Sequence, residues 1–149
     1  MRGMNPPDHI TRSASVHWTG DIARGSGKIA VESGLVSANY SFGTRFAKEP
    51  GTNPEELLGA TLASCFTMAF TLGLTRASHP PTTIDTTAHV ELSKDGEGFT
   101  ITKIALVTTV DIPGIEDAAL HEIAEGAKIN CPISKALAAV AITLEVKRA

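Results

Sequence analysis

The sequence predicts an α+β domain, and three observations carry that prediction. From Leu57 to Leu74 no residue is charged, and helix-start signals stand just ahead of the run. Segments rich in Thr, Val and Ile lie on both sides of it, at lengths suited to strands. The order is strands, a long helix, strands, two shorter helices and a last strand, which does not follow the strict alternation of a parallel α/β protein.

Residues 1–13 read as a loose N-terminal segment and 14–149 as a single domain. Ala14–Thr19 (ASVHWT) mixes β-branched and aromatic residues as a strand does. Gly20, Asp21 and the RGSG of Arg24–Gly27 mark a turn. Lys28–Glu32 and Ala38–Phe42 are two further short strands, separated by Ser33 and Gly34, so the first third is a small antiparallel sheet. The long helix occupies Gly51–Arg76. Asn53 suits its cap, Pro54 a first-turn position with no amide to satisfy, and Glu55 and Glu56 the positive end of the dipole. Glu56, three residues after Asn53, also fits a capping box. Small polar groups alone (Thr61, Ser64, Thr67, Thr71) interrupt its apolar residues, so the helix is expected to be buried nearly all round.

Ser78–Pro81 (SHPP) stops that helix. Ile84–Leu92 and Phe99–Ile112 are longer strands joined through Lys94–Gly98, where Asp95-Gly96 suits a tight turn, and Pro113-Gly114 closes the pair. In Glu116–Lys128 the apolar residues Ala119, Leu120, Ile123, Ala124 and Ala127 have the spacing of an amphipathic helix. Cys131-Pro132 opens a short helix through Ala138. Val140, Ile142, Leu144 and Val146 then alternate with Ala141, Thr143, Glu145 and Lys147, the pattern of a half-buried strand.

Composition narrows the function. A chain of 149 residues, 42% hydrophobic and 19% charged, can bury a core without disulfide staples. The net charge of −3 leaves no basic footprint for nucleic acid, and no lysine or arginine cluster suits an anionic membrane. The uncharged run is long enough to span a bilayer, but its small and hydroxyl residues and the lack of a flanking aromatic belt argue against that. MRGMNPPDHITR has no apolar centre for a signal peptide, so a cytoplasmic location is expected. There the two cysteines are reactive or simply buried, not a structural staple.

Few residues can carry chemistry. RGSGK fails as a phosphate loop, because the required first glycine falls on Ile22. Of the five histidines none has zinc-ligand spacing with the cysteines, and His121 with Glu125 reads as a solvated helix face, so no metal and no cofactor are assigned. Arg45 lies between two phenylalanines in FGTRF; arginine is usually a solvated charge, and the flanking aromatics tilt this one towards a semi-buried site. Taken alone, Cys65 in an apolar helix reads as inert packing. Cys131 at a helix N-terminus reads as the more acidic thiol, because the dipole and free amides stabilise its thiolate.

The segments NPEELLGATLASCF, FGTRF, DTTAHVEL, ITKIALVTTVDIPGI and NCPISKAL, with VHWTGDI near the start, resemble the OsmC branch of the OsmC/Ohr family of thiol-dependent hydroperoxide reductases. The resemblance implies antiparallel sheets packed around a long central hydrophobic helix, in an intertwined homodimer. It implies a two-cysteine peroxidase of stress defence that reduces organic hydroperoxides, and hydrogen peroxide less well. In it Cys65 is the peroxidatic and Cys131 the resolving cysteine, which reverses the electrostatic ranking. Arg45 stabilises the thiolate and the peroxide, and Glu55 orients Arg45. The implied partners are the hydroperoxide and a dithiol reductant such as a lipoylated protein. Phe42, Phe46, Phe66 and Met68 are candidates for an apolar substrate collar, with ordinary core packing as the competing reading.

Helix geometry adds a constraint. Glu55 and Cys65 are separated by ~15 Å of rise and about 80° of rotation on one straight helix, and so cannot share a site there directly. Either the helix breaks near Gly59, or Arg45 bridges the gap, or two chains build each site. The last option also accounts for an apolar surface all round the helix. A dimeric binding module for an apolar ligand, with both cysteines as bystanders, is the rival reading. A protein thiol–disulfide oxidoreductase is disfavoured by the lack of Cys-x-x-Cys.

Overall fold

The computed structural model describes residues 5–149; Met1–Met4, the start of the segment read as loose, lie outside the described residues. Where the sequence is read as one domain over 14–149, backbone packing groups the chain into two compact units, one ending at Asn53 and one running from Pro54 to Ala149.

The first unit is an antiparallel meander of β1 (Ala14–Thr19), β2 (Ser26–Val31) and β3 (Ser37–Tyr40). Its first turn is closed by Asp21, whose Oδ1 accepts from the amides of Ala23 and Arg24 at 2.9 and 2.8 Å. RGSG is thus part of a hairpin loop. Trp18 and Tyr40 meet edge-on over Gly27, with centroids 5.4 Å apart. A Cβ at Gly27 would stand 2.3 Å from the Tyr40 ring, so the position takes no side chain without displacement. The third strand, expected to reach Phe42, ends at Tyr40. FGTRF instead forms a one-turn helix, α1 (Phe42–Phe46). Ser41 Oγ accepts from the Thr44 amide at 3.3 Å and Thr44 Oγ1 from the Ser41 amide at 2.8 Å, a reciprocal capping box that ends the strand.

The second unit holds the long helix α2 (Pro54–Arg76), the hairpin β4 (Thr83–Asp95) and β5 (Gly98–Asp111), the helices α3 (Asp117–Asn130) and α4 (Pro132–Ala136), and β6 (Ala141–Arg148). Just past α2, Ser78 takes a left-handed φ of 65° and the His79 amide returns to the Leu74 carbonyl at 2.9 Å, which closes off the helix. The β4–β5 turn is Gly96-Glu97, with Gly96 at φ 59°. The sheet runs β4-β5-β6. β4–β5 is antiparallel, but β5–β6 is parallel, the one departure from the expected all-antiparallel pairing. Its cause is the crossover through α3 and α4, which returns the chain in the same direction as β5.

The core lies between α2, the sheet and α3. Leu62, Phe66, Phe70 and Leu74, one helical turn apart, have no exposed surface. They meet Ile104, Leu106 and Val110 of β5 and Leu120, Ala124 and Ala127 of α3 in one cluster. Gly73 lets α3 come close, since a Cβ there would lie 2.7 Å from Ile123. Across the α2–sheet contact a chain of hydroxyls links Thr67, Thr86 and Thr108 at 2.7 and 3.0 Å.

The expectation that α2 is buried nearly all round does not hold for the single chain. Ala60, Thr61, Ser64, Met68 and Leu72 are exposed, Met68 at 75%. One sheet and one helix cover one side of a cylinder, and nothing in the second unit reaches the other. By length and composition α2 is apolar enough to cross a membrane, but its inner face is committed to this core.

Candidate active site

The sequence places Cys65 in the middle of α2, and the bend between α3 and α4 places Cys131 beside it. Cys131 ends α3, where its amide donates to Ala127 at 3.0 Å, and is also the residue before Pro132 that caps α4. Proline at the first position of α4 costs no helical hydrogen bond and fixes the turn that points the thiol inward. Both cysteines are free thiols; Cys131 is fully buried and Cys65 partly.

The two side chains act on each other's ionisation, and their surroundings drive their acidities apart. Burial pushes Cys65 above the ordinary cysteine value; Cys131 adds to this by accepting its proton and repelling a second negative charge, and the Ile133 amide offsets only part. Burial pushes Cys131 up too. Donors directed at its charged form, the Cys65 thiol first and then the Ser134 and Ile133 groups at the start of α4, together outweigh it and hold Cys131 below the ordinary value. As an isolated pair, therefore, the first negative charge settles on Cys131, in line with its position at a helix start.

The other sequence-derived residues fall into two groups. Phe42, Arg45 and Phe46 share the turn α1 in the first unit. The phenylalanine centroids are 4.8 Å apart, and the guanidinium lies over the Phe46 ring at 5.4 Å. Phe42 and Phe46 remain 52% and 40% exposed. Glu55 is buried in the first turn of α2. α2 runs unbroken through Gly59, which removes the option of a helix break between Glu55 and Cys65. Phe66 sits wholly in the core against Phe70, and Met68 points the other way, so these two do not line a common surface. Among the described residues no three His, Cys, Asp or Glu side chains converge as metal ligands.

Sequence reasoning missed Ser134. Its hydroxyl is buried, and it is the one buried side-chain polar atom among the described residues without a well-formed hydrogen bond. The signal was present as a serine three residues after Cys131, the spacing that brings a side chain back over a helix start.

Known proteins resemble this chain along most of its length. A family profile for OsmC-like proteins matches residues 47–147. Peroxiredoxin OsmC of Escherichia coli (strain K12) is 50% identical over 137 residues, covering 91% of this chain and 95% of that protein. Organic hydroperoxide resistance protein OhrA of Bacillus subtilis (strain 168) is 35% identical over 109 residues, 70% of this chain and 74% of its own. The crystal structure of the organic hydroperoxide resistance protein OhrB of Bacillus subtilis superposes with a TM-score of 0.72 at 28% identity, covering 91% of this chain and 98% of that one. By profile, sequence and fold together, the chain belongs to the OsmC-like family.

Proposed function

We propose that this chain is a peroxidase that reduces organic hydroperoxides, and hydrogen peroxide less well, through its two cysteines. The observation that carries the reading is the pair of free thiols Cys65 and Cys131, which act on each other's ionisation, one on the core helix and one at a helix start. The names of the relatives, a peroxiredoxin and organic hydroperoxide resistance proteins, support the substrate class.

In this mechanism the Cys65 thiolate attacks the distal peroxide oxygen. An S–O bond forms and the O–O bond breaks, leaving a sulfenic acid and an alkoxide that takes a proton to become the alcohol. Cys131 thiolate then attacks the Cys65 sulfur. The S–S bond forms, the S–O bond breaks, and the departing hydroxide is protonated to water. A dithiol, of the kind a lipoylated protein carries, returns both thiols by exchange. Because burial and Cys131 both oppose ionisation of Cys65, the first step needs an added positive charge. Arg45, oriented by Glu55, is assigned that role, and its rigid fork suits peroxide oxygens as well. Phe42 and Phe46 are assigned as the aromatics that favour an organic substituent.

The working form is assigned as a homodimer in the cytoplasm. The outward stripe Ala60, Ser64, Met68 and Leu72 is the surface a second copy would cover, and free thiols suit a reducing compartment. The test is steady-state consumption of an organic hydroperoxide with a small dithiol as donor. Turnover is expected in wild type and its loss in Cys65→Ser. Binding of apolar ligands with no turnover in wild type would favour the binding-module reading instead.

A further inference from the structure

We propose that the Ser134 hydroxyl is the donor that receives the negative charge on Cys131, making Ser134 a positioning residue for the resolving thiolate. This rests on the two-cysteine reading above and adds a residue to it.

Ser134 stands in the first turn of α4, three residues after Cys131, and is only 8% exposed. Its Oγ closes no well-formed hydrogen bond in the described structure. A buried hydroxyl in that state is normally rare and unfavourable. Cys131 is the N-cap and Ser134 the third residue of α4, the pair of positions whose side chains meet across a helix start, and the hydroxyl acts on the Cys131 sulfur as a donor to its charged form. A neutral thiol is too weak an acceptor to complete that bond, whereas a thiolate completes it. The orphaned donor of the neutral state is thus satisfied in the ionised one, so the site favours charge on Cys131 from both sides. Of the titratable groups on α2, α3 and α4, only Cys65 acts on this sulfur. The Lys128 ammonium is held by Glu125 at 2.8 Å, and Lys135 is exposed. In the resolving step the hydroxyl keeps Cys131 nucleophilic until the S–S bond forms. The sulfur then gives up its charge to the departing hydroxide, and the Ser134 hydroxyl returns to its orphaned state.

The test titrates thiolate absorbance at 240 nm in the reduced full chain carrying Cys65→Ser, a change that keeps a hydroxyl donor beside Cys131. Adding Ser134→Ala is expected to raise the midpoint by about one to two pH units, the worth of a hydrogen bond to a charged group. Ser134→Thr, which keeps the hydroxyl, is expected to restore most of the shift. At a pH well below the measured midpoint, where the thiol is neutral, Ser134→Ala is expected to melt no lower than its parent, since the hydroxyl is unsatisfied there. An unmoved midpoint in Ser134→Ala, or an equal rise in Ser134→Thr, overturns the proposal. No peroxide enters the titration, so failure of the peroxidase reading, seen as no disulfide on peroxide treatment of wild type, is read separately.

Discussion

The hydroxyl chain Thr67–Thr86–Thr108 pins the helix that carries Cys65 to two strands, and it makes a non-additive prediction. Thr108 has no exposed surface, and its hydroxyl meets only Thr86, at 3.0 Å. Thr67 has a second partner, the Ala63 carbonyl at 2.8 Å. Thr86→Val keeps the side-chain shape but strands the Thr108 hydroxyl away from water, a loss of about 1–3 kcal/mol. Thr108→Val leaves Thr86 bonded to Thr67 and is expected to cost about 0.5–1.5 kcal/mol. Independent effects would sum to roughly 1.5–4.5 kcal/mol, yet the double variant orphans nothing and is expected to lose no more than about 1.5 kcal/mol. Urea unfolding of the reduced protein at one fixed concentration reads this as midpoint shifts at constant slope. A double variant as unstable as the sum of the singles would refute the reasoning.

Three further outcomes are expected. Arg45→Ala removes the charge assigned to the Cys65 thiolate, so kcat/KM for an organic hydroperoxide at pH 7 should fall about 10- to 1,000-fold, matching a rise of one to three pKa units. Because a raised cysteine pKa lowers the thiolate fraction only below that pKa, activity should recover as pH rises towards the raised pKa; a pH-independent loss would refute the charge role. Met68→Glu, at a position 75% exposed in the single chain, should leave the fold intact and reduce the light-scattering mass from dimer to monomer, whereas a monomeric wild type would remove the dimer. Gly27→Ala should lower stability by about 1–3 kcal/mol through collision with Tyr40 and Trp18, and an unchanged melting temperature would show that the sheet yields there freely.

Much of the fold was legible because it rests on local signals. The apolar run, Pro54 and SHPP bounded α2 closely, and the alternation in β6 marked a half-buried strand. What escaped were features decided by neighbours. α1 was missed because its single turn is held by the Ser41–Thr44 box, too short for any periodicity. The parallel β5–β6 pairing depends on where a crossover returns, which side-chain pattern alone does not encode. The exposed face of α2 was invisible because its residues are as apolar as the buried ones.

The site was legible to a different degree. Its position at a helix start pointed to Cys131 as the acidic thiol, and the structure adds Cys65, Ser134 and Ile133 as causes. Its proximity to Cys65, 66 residues away in sequence, required the packing of α2 against α3 and α4. Ser134 went unnoticed because an isolated serine carries no pattern until its burial is known.

The most direct test is to treat the reduced protein with one equivalent of an organic hydroperoxide and map its thiols by mass spectrometry. Wild type should yield a Cys65–Cys131 disulfide, and Cys131→Ser should trap a sulfenic acid on Cys65. Full peroxidase activity in Cys65→Ser, or oxidation at Cys131 with Cys65 left as a thiol, would contradict the account.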